Sequence, residues 1–529
     1  MDAKTAIELV LLLLVVATAL AYVARRIGVA YPILLVIGGL VLGIVLSLVP
    51  DAPTVQLPPE VVFLVFLPPI LFGSGYSSQL RDIKANLRPI GLLAIGLVLF
   101  STLAVGVVAG LLVPALQWAP AFALGAIVAP PDAVAATSVL RRLGVPRRVV
   151  TILEGESLIN DASALIAYRV AVAAVLTGSF VALDAGVSFV VVGVGGIAIG
   201  VVVGVLVTGA WRRTGDPTLQ IILSLIAPIT AYLAAEAIGV SGVLATVTAG
   251  LIAGRRAARA LSPDGRLLGA GVWAVVYFLI DSFLFMLIGL QLPFVVQGLT
   301  GYSTGELVGL GVAISLTVIV ARFVWVFPAT YLPRILSARI REHDPSPPRG
   351  AVVVIAWAGM RGAVSLAAAL SLPVEPAPFP ERNLIIFLTF CVILATLVGQ
   401  GLSLPWVIAR TGLVAGTGTA REENLARQTA IDAALDRLVG IAVEYPDHQP
   451  LVDQLRARFE HEADHAWPDA DGDLDEADRE RVDHMAIRLA VVESQREAVI
   501  RLRDDGVIGD EALHRVERDL DLEALRSGV

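Results

Sequence analysis

The chain has 529 residues, of which 56% are hydrophobic and only 16% are Asp, Glu, Lys or Arg, and its mean hydropathy is +0.79. This composition excludes an ordinary water-soluble domain and is typical of polytopic proteins that cross a lipid bilayer several times. The single cysteine, Cys391, excludes a disulfide framework and a thiolate metal site. We find no nucleotide-binding loop, redox motif or basic nucleic-acid-binding patch. We therefore expect no enzyme activity, no cofactor and no nucleic-acid partner.

The net charge of −8 is distributed unevenly along the chain. From Arg421 to the end there are 28 acidic and 14 basic residues, whereas the preceding part has 19 acidic and 25 basic residues. A basic, apolar part followed by an acidic, polar part indicates two separate domains. We predict a transmembrane domain over residues 1–413 and an acidic helical tail over residues 414–529.

Thirteen apolar segments have the length and hydropathy of membrane-spanning helices. The first lacks a strongly basic start and a clear small-residue cleavage site, so we interpret it as a retained helix and not as a signal peptide. In chain order the predicted segments cover residues 5–23, 30–50, 58–75, 88–114, 118–139, 149–177, 186–210, 217–235, 239–254, 270–298, 306–332, 350–372 and 384–410.

Basic residues are concentrated in alternate loops between these segments. Six such loops hold nineteen arginines and lysines, and the intervening loops hold almost none. Because short loops rich in Arg and Lys remain on the cytoplasmic side of a membrane, this alternation predicts the orientation of the chain. We expect the N-terminus outside the cell and the C-terminal tail in the cytoplasm.

Two segments are interrupted near their middles by residues that break helices. In the fifth segment a Pro-Pro pair at 130–131 precedes Asp132, which we expect to cap the helix that restarts there. In the twelfth segment two glycines flank Arg361. Interrupted spans in corresponding positions are typical of transporters with inverted repeats, whose freed carbonyls and half-helix ends bind a cation. A simple proline kink is the alternative, but it does not explain why both interruptions carry a charge.

The sixth segment contains the stretch 155–169, which carries two carboxylates, an amide and an arginine. In a helix, Ser157 and Asp161 lie above one another on one face, and Glu156 and Asn160 form a second pair about 100° away. Asp161 lies about 16 Å into the span, near the middle of a hydrocarbon core about 30 Å thick. An ionisable group at that depth costs roughly 3 kcal/mol, which favours an ion or proton site. The alternative, stronger for Glu156 than for Asp161, is a paired charge that holds helices together.

Three motifs along the chain resemble the monovalent cation:proton antiporter-1 family, which includes bacterial NhaP-type and animal sodium/proton exchangers. The motifs are Ala-Pro-Pro-Asp-Ala-Val-Ala at 129–135, Gly-Glu-Ser-Leu-Ile-Asn-Asp at 155–161 and Gly-Met-Arg-Gly-Ala-Val-Ser at 359–365. The string Phe-Leu-Pro-Pro-Ile-Leu-Phe at 66–72 looks like a further landmark of the family. The resemblance covers about residues 5–413 and leaves the tail out.

The resemblance implies an all-α, inverted-repeat antiporter fold of about thirteen transmembrane helices, two of them discontinuous, usually assembled as a homodimer. It also implies an intramembrane ion pair between Glu156 and Arg361 that ties the sixth span to the twelfth. The implied ion- and proton-binding residues are the carboxylate Asp161, which would hold the monovalent cation, together with Asn160, Asp132 and Ser157.

The chain departs from the family pattern at two positions. Many members have an acidic residue after the Leu-Pro-Pro-Ile-Leu-Phe string, where this chain has Gly73. Many members also have a proline directly after the aspartate of the fifth span, where this chain has Ala133. Both departures bear on which cation is selected and not on the exchange reaction.

A single carboxylate at mid-membrane depth binds either a proton or a small cation, because holding both adds a charge in a region of low dielectric. Competition for one site is sufficient for coupled exchange, and one titrating charge predicts an electroneutral one-for-one exchange. With the resemblance, we predict a multi-pass antiporter of a bacterial plasma membrane that exchanges Na+ for H+ in pH and sodium homeostasis. The main alternative is an antiporter for K+ or for alkali cations including Li+. A non-transporting cation sensor or a channel is a more distant alternative.

Overall fold

A computed structural model of the chain describes residues 3–48, 58–179, 181–297, 299, 301–374, 379–413, 418–466, 474–505, 507, 512–513, 516–517 and 519–521. The chain divides into two compact units, Met1–Ala415 and Gly416–Val529. All regular structure in these described ranges is helical, which confirms the predicted all-α class. The predicted domain boundary at residues 413 and 414 stays a prediction, and residue 414 lies outside the described residues.

Within the described ranges, helices occupy part or all of each of the thirteen predicted segments. Among the described residues, nine helices contain a stretch long and apolar enough to cross a membrane: Ala3–Ile27, Tyr31–Leu48, Leu87–Leu112, Arg147–Thr177, Ala182–Thr214, Pro217–Glu236, Pro263–Gln297, Thr304–Leu336 and Arg382–Thr411. The shorter or more polar helices are Val62–Ser77, Leu80–Ala85, Trp118–Val128, Ala133–Arg142, Gly242–Ala260, Ala338–His343, Arg349–Trp357 and Ala363–Leu370. The total of thirteen crossings stays a prediction.

The second unit is built from three longer helices within its described part: Gly418–Glu444, Gln449–Ala466 and Leu474–Asp504. Their surfaces carry charged side chains, as in the exposed ion pair that Arg437 forms with Glu444 at 3.0 Å. This unit is therefore helical and polar, as the sequence predicts for the tail.

Glycines bring Tyr31–Leu48 into backbone contact with Pro263–Gln297. A Cβ atom at Gly39 would lie 2.0 Å from the carbonyl oxygen of Met286, so no larger residue fits there. Small residues at helix crossings permit such close approach inside membranes, where van der Waals packing drives helix association. The contact fixes the middle of Tyr31–Leu48 against the second half of the longer helix, and it therefore decides which side chains of the two helices meet.

One aspartate joins the ends of three helices in the arginine-rich loops. Asp344, in the loop before the second interrupted span, accepts hydrogen bonds from Arg88 and Arg148 at 2.5 Å and from Arg334 at 2.9 Å. Partial burial raises the pKa of Asp344, but the hydrogen bonds and charges of Arg148 and Arg334 outweigh the burial and hold this pKa below its usual range. The ionised carboxylate therefore stabilises the folded chain.

We expect Asp344→Asn to destabilise the protein at pH 7 by roughly 1–2 kcal/mol, because three guanidinium groups lose their shared acceptor. A carboxyl whose pKa is lowered on folding contributes stability that is present above its ordinary pKa and is lost as the pH falls through the lowered value. The melting temperature of the variant should therefore fall less than that of the native chain when the pH is lowered below about 4. Thermal melting in detergent, followed by tryptophan fluorescence, measures both effects.

The exposed Glu342, two residues earlier in the chain, provides the control variant Glu342→Gln. Equal melting temperatures for Asp344→Asn and Glu342→Gln across the pH range would contradict a stabilising role for the Asp344 carboxylate.

Candidate functional site

The two interrupted spans touch each other at their interruptions. The first break covers residues 129–132 and the second covers residues 358–362. The backbone N–H of Asp132 donates to the carbonyl oxygen of Met360 at 2.6 Å, so one break supplies a hydrogen-bond partner for the other. This contact confirms the two discontinuous helices that the sequence predicts, and it places them side by side.

Asp132 caps the helix that restarts after the first break. Its carboxylate accepts a hydrogen bond from the backbone N–H of Val134 at 2.8 Å, which confirms the predicted cap. A Cβ atom at Gly362 would lie 2.0 Å from Oδ2 of Asp132. Glycine is therefore needed in the second break to make room for the carboxylate of the first.

The helix Arg147–Thr177, called the site helix below, presents its polar residues towards the two breaks. Asn160 is fully buried and its Nδ2 donates to the carbonyl oxygen of Pro131 at 2.8 Å. Its other side-chain atom, Oδ1, is buried and has no partner among the described residues. Asp161 is 7% exposed and forms no ion pair with a described lysine, arginine or histidine. Asn160 is thus in direct contact with the first break, and Asp161 is the neighbouring carboxylate without a basic partner.

The region where the two breaks touch, residues 129–132 and 358–362, is called the crossing below. A cavity of about 590 Å³ reaches this crossing. Asp161, Ser157 and Asp132 all line it, so the structure brings these three predicted site residues to one cavity. Arg141 and Glu154, which form an ion pair at 2.5 Å, line the same cavity near the arginine-rich loops. The cavity therefore connects the crossing with the side of the protein on which those loops lie.

A tyrosine occupies the place of the side chain that Gly73 lacks. A Cβ atom at Gly73 would lie 1.6 Å from the hydroxyl oxygen of Tyr277, a residue of Pro263–Gln297 that also lines the cavity. The acidic group that many family members carry at this position is thus replaced by a phenolic hydroxyl from another helix. The sequence showed the missing acid, but it did not show what fills the space.

The predicted ion pair between Glu156 and Arg361 is wrong, because Glu156 pairs with a different arginine. Arg322 of Thr304–Leu336 binds Glu156 with both terminal guanidinium nitrogens, at 2.6 and 2.8 Å, and both side chains are almost completely buried. Arg361 instead donates to backbone carbonyls of both breaks, those of Val128, Ala129 and Gly359. The rotation of the site helix about its own axis turns Glu156 towards Thr304–Leu336, the helix that carries Arg322.

Arg322 is the site residue that the sequence reading missed. It is the only charged residue between Glu306 and Arg334, in the middle of an otherwise apolar span. An isolated charge at such a depth is the signal that could have identified it. Besides pairing with Glu156, Arg322 donates from Nε and Nη2 to the carbonyl oxygen of Ile355, at 3.2 and 3.1 Å, beside the second break.

Comparison with known proteins connects this arrangement to one family. The family model described as "Sodium/hydrogen exchanger, transmembrane" matches residues 10–410. An uncharacterized Na(+)/H(+) exchanger of Mycobacterium tuberculosis is 36% identical over 509 residues, which cover 95% of this chain and 92% of that protein. The sodium, potassium, lithium and rubidium/H(+) antiporter of Bacillus subtilis is 34% identical over 412 residues, which cover 75% of this chain and 61% of that protein.

A solved structure has a similar fold. The sodium proton antiporter MjNhaP1 from Methanocaldococcus jannaschii matches with a TM-score of 0.62 and 20% sequence identity, covering 79% of this chain and 100% of that one. At this level of identity the likeness supports the fold and not the residue roles.

The observed pairing predicts which double substitution restores stability. Glu156→Gln and Arg322→Gln should each cost about 3–5 kcal/mol, because each leaves an uncompensated buried charge. The double variant should be more stable than either single variant. Arg361→Gln should not be rescued by Glu156→Gln, because Arg361 holds carbonyl groups and not this carboxylate. Thermal melting in detergent compares six purified proteins: the native chain, the three single variants and the two double variants.

Arg361→Gln serves as the matched control, since it also removes a fully buried arginine near the same crossing. Rescue of Arg361→Gln by Glu156→Gln, without rescue of Arg322→Gln, would restore the pairing that the sequence predicted.

Proposed function

The chain belongs to the sodium/hydrogen exchanger family, and we propose that it is a secondary active antiporter that exchanges Na+ for H+ across the membrane. The observation that carries the proposal is the position of Asp161. Its buried carboxylate faces a cavity, beside the crossing of two broken helices, without a basic partner among the described residues. A carboxylate in such a place is stable only with a bound proton or cation.

The ionisable groups at the crossing support a one-for-one exchange. With every group ionised, three carboxylates and two guanidinium groups leave one negative charge. One Na+ or one proton neutralises that charge, whereas binding both at once leaves an excess positive charge in a region of low dielectric. Exchange of one ion for the other thus returns the crossing to the same net charge. The five groups are Asp132, Glu156, Asp161, Arg322 and Arg361.

The neighbours of Asp161 supply the oxygen atoms that a hard alkali cation prefers. Asn160 Oδ1 has no protein partner among the described residues and is next in sequence to Asp161. Ser157 lies one turn earlier on the face of Asp161 and lines the same cavity. We assign Asp161 as the shared ion and proton site, with Asn160, Ser157 and Asp132 as further ion-binding residues.

Exchange of K+, or of several alkali cations, is the second candidate function. It is favoured by the loss of the acidic group at Gly73 and by its replacement with the hydroxyl of Tyr277. A site with fewer charged oxygens binds the strongly hydrated Na+ with less advantage over larger cations. The Bacillus subtilis relative, whose name includes potassium, lithium and rubidium, is consistent with this alternative.

We place the protein in the plasma membrane of a bacterium, as a homodimer that serves pH and sodium homeostasis. The alternation of the arginine-rich loops supports an external N-terminus and a cytoplasmic tail. The cavity then opens towards the cytoplasm, because it reaches the same side as the arginine-rich loops.

We expect Asp161→Asn to abolish exchange of every alkali cation while the protein remains folded. The substitution removes the charge for which cation and proton compete, and the amide has nearly the same volume. Everted vesicles acidified by respiration, with a pH-sensitive dye, report proton release on addition of NaCl or KCl. The ratio of the two responses ranks the sodium and potassium proposals.

Asp264→Asn is the matched control, because Asp264 is exposed at the start of Pro263–Gln297. It should exchange at the rate of the native chain. Cation-dependent proton release by a folded Asp161→Asn protein would contradict the assignment of the site.

A second expectation concerns the charge moved in each cycle. Because the carboxylate of Asp132 is held by Val134 N–H and packs against Gly362, we assign it to cation binding and not to proton transfer. In proteoliposomes with a potential clamped by valinomycin and K+, the rate of exchange should not depend on the potential. Asp132→Asn should weaken cation binding without changing the stoichiometry. Exchange driven by the potential, and lost in Asp132→Asn, would show that both carboxylates carry protons.

A further inference from the structure

Asp281 is a further carboxylate that lines the cavity and is not used by the proposed exchange mechanism. Asp281 lies in the middle of Pro263–Gln297, is 6% exposed, and accepts a hydrogen bond from the hydroxyl of Tyr31 at 2.7 Å. No described lysine, arginine or histidine forms an ion pair with it. The sequence reading did not single it out, although it is an isolated carboxylate in an apolar span.

The position of Asp281 distinguishes it from a carboxylate buried between packed helices. It lines the same cavity as Asp161 and Asp132, but it belongs to a helix that is not part of the crossing. Tyr277 lies one turn earlier on the same face of its helix and also lines the cavity. The hydroxyl of Tyr277 occupies the space left by Gly73 at the cavity wall. The hydroxyl of Tyr31 lies 2.7 Å from the Asp281 carboxylate, which lines the same cavity.

A buried carboxylate normally has a basic partner, a bound cation or a bound proton. The hydroxyl of Tyr31 donates a hydrogen bond to Asp281, which favours the ionised form and therefore a cation over a proton. The hydrogen bond from Tyr31 stabilises the carboxylate but does not neutralise its charge. A purely structural role is also unnecessary, because the two helices are already held by the close contact of Gly39 with Met286. The remaining negative charge faces a cavity that a hydrated ion can enter.

We propose that Asp281, with the hydroxyl groups of Tyr31 and Tyr277, forms a second binding site for a monovalent alkali cation, separate from Asp161. One carboxylate and two neutral oxygens match a single positive charge. Among the described residues, no three His, Cys, Asp or Glu side chains form a group that could hold a metal ion, so a divalent cation lacks the charge it needs here. The site holds a cation in the cavity before it moves to the crossing. This role rests on the proposed exchange function, whereas the site itself does not.

Sodium binding to the Asp161→Asn protein tests the second site. This variant lacks the carboxylate for which cation and proton compete at the exchange site, so sodium binding at that site should be strongly weakened. Equilibrium binding of radioactive sodium to the purified full-length chain in detergent should show residual binding in Asp161→Asn. The residual binding should be lost in Asp161→Asn/Asp281→Asn and kept in Asp161→Asn/Asp281→Glu, which retains the charge.

The exposed Asp264, on the same helix, provides the control Asp161→Asn/Asp264→Asn, which should keep the residual binding. If Asp281→Asn does not fold, Asp161→Asn/Tyr31→Phe/Tyr277→Phe replaces it and should weaken residual binding about tenfold. In the native background, Asp281→Asn should raise the half-saturating sodium concentration about tenfold and leave the maximal rate within about twofold. A lower maximal rate at an unchanged half-saturating concentration overturns the holding role.

Failure of this proposal is distinguishable from failure of the proposed function. Native exchange without residual binding in Asp161→Asn overturns the second site and leaves the antiporter intact. Residual binding that depends on Asp281, in a chain that does not exchange sodium for protons, supports the second site and overturns the antiporter. Residual binding that survives both Asp281→Asn and the double tyrosine substitution places the extra cation elsewhere and overturns the assignment.

Discussion

Two interrupted helices cross inside the first unit, and each interruption leaves backbone groups without partners inside its own helix. In the interior of a membrane such groups cannot be satisfied by water, and each costs several kcal/mol if it stays unpaired. The side chains around the crossing supply hydrogen-bond partners for these backbone groups. Arg361 donates to the carbonyls of Val128 and Ala129, and Asn160 donates to that of Pro131. The polar residues of the site are thus also the partners of the broken backbone.

This requirement explains why so many charges occupy one small region. Arg322 holds the carbonyl of Ile355 beside the second break, and Glu156 balances its charge. Among the described residues, the Arg361 side chain donates to backbone carbonyls only, so no ion pair ties its charge to one carboxylate. The arrangement keeps a buried negative charge near a cavity without a direct basic neighbour. A permanent ion pair to Asp161 would compete with the transported ion, and the indirect compensation avoids that competition.

The part of the cavity wall formed by Pro263–Gln297 is built on a different principle. There the helices are continuous, and glycines such as Gly39 and Gly73 allow close approach or make room for a tyrosine from a neighbouring helix. Tyr31, Tyr277 and Asp281 supply oxygen atoms there, and no described basic residue forms an ion pair with Asp281. The one net negative charge of the crossing and the carboxylate of Asp281 together give the cavity a negative potential. Such a potential concentrates cations before they reach the crossing.

The sequence alone was sufficient for the properties that depend on position along a span. Apolar segments set the class of protein, and the Pro-Pro pair and the flanking glycines located the two breaks. Helical spacing predicted a mid-membrane depth for Asp161. The partners of each charge depended on tertiary structure. Glu156 could have faced Arg361 or Arg322, because depth in the membrane does not define the direction in which a helix is rotated. Likewise Gly73 showed a missing side chain, but only the packing of a distant helix could show that Tyr277 fills the space.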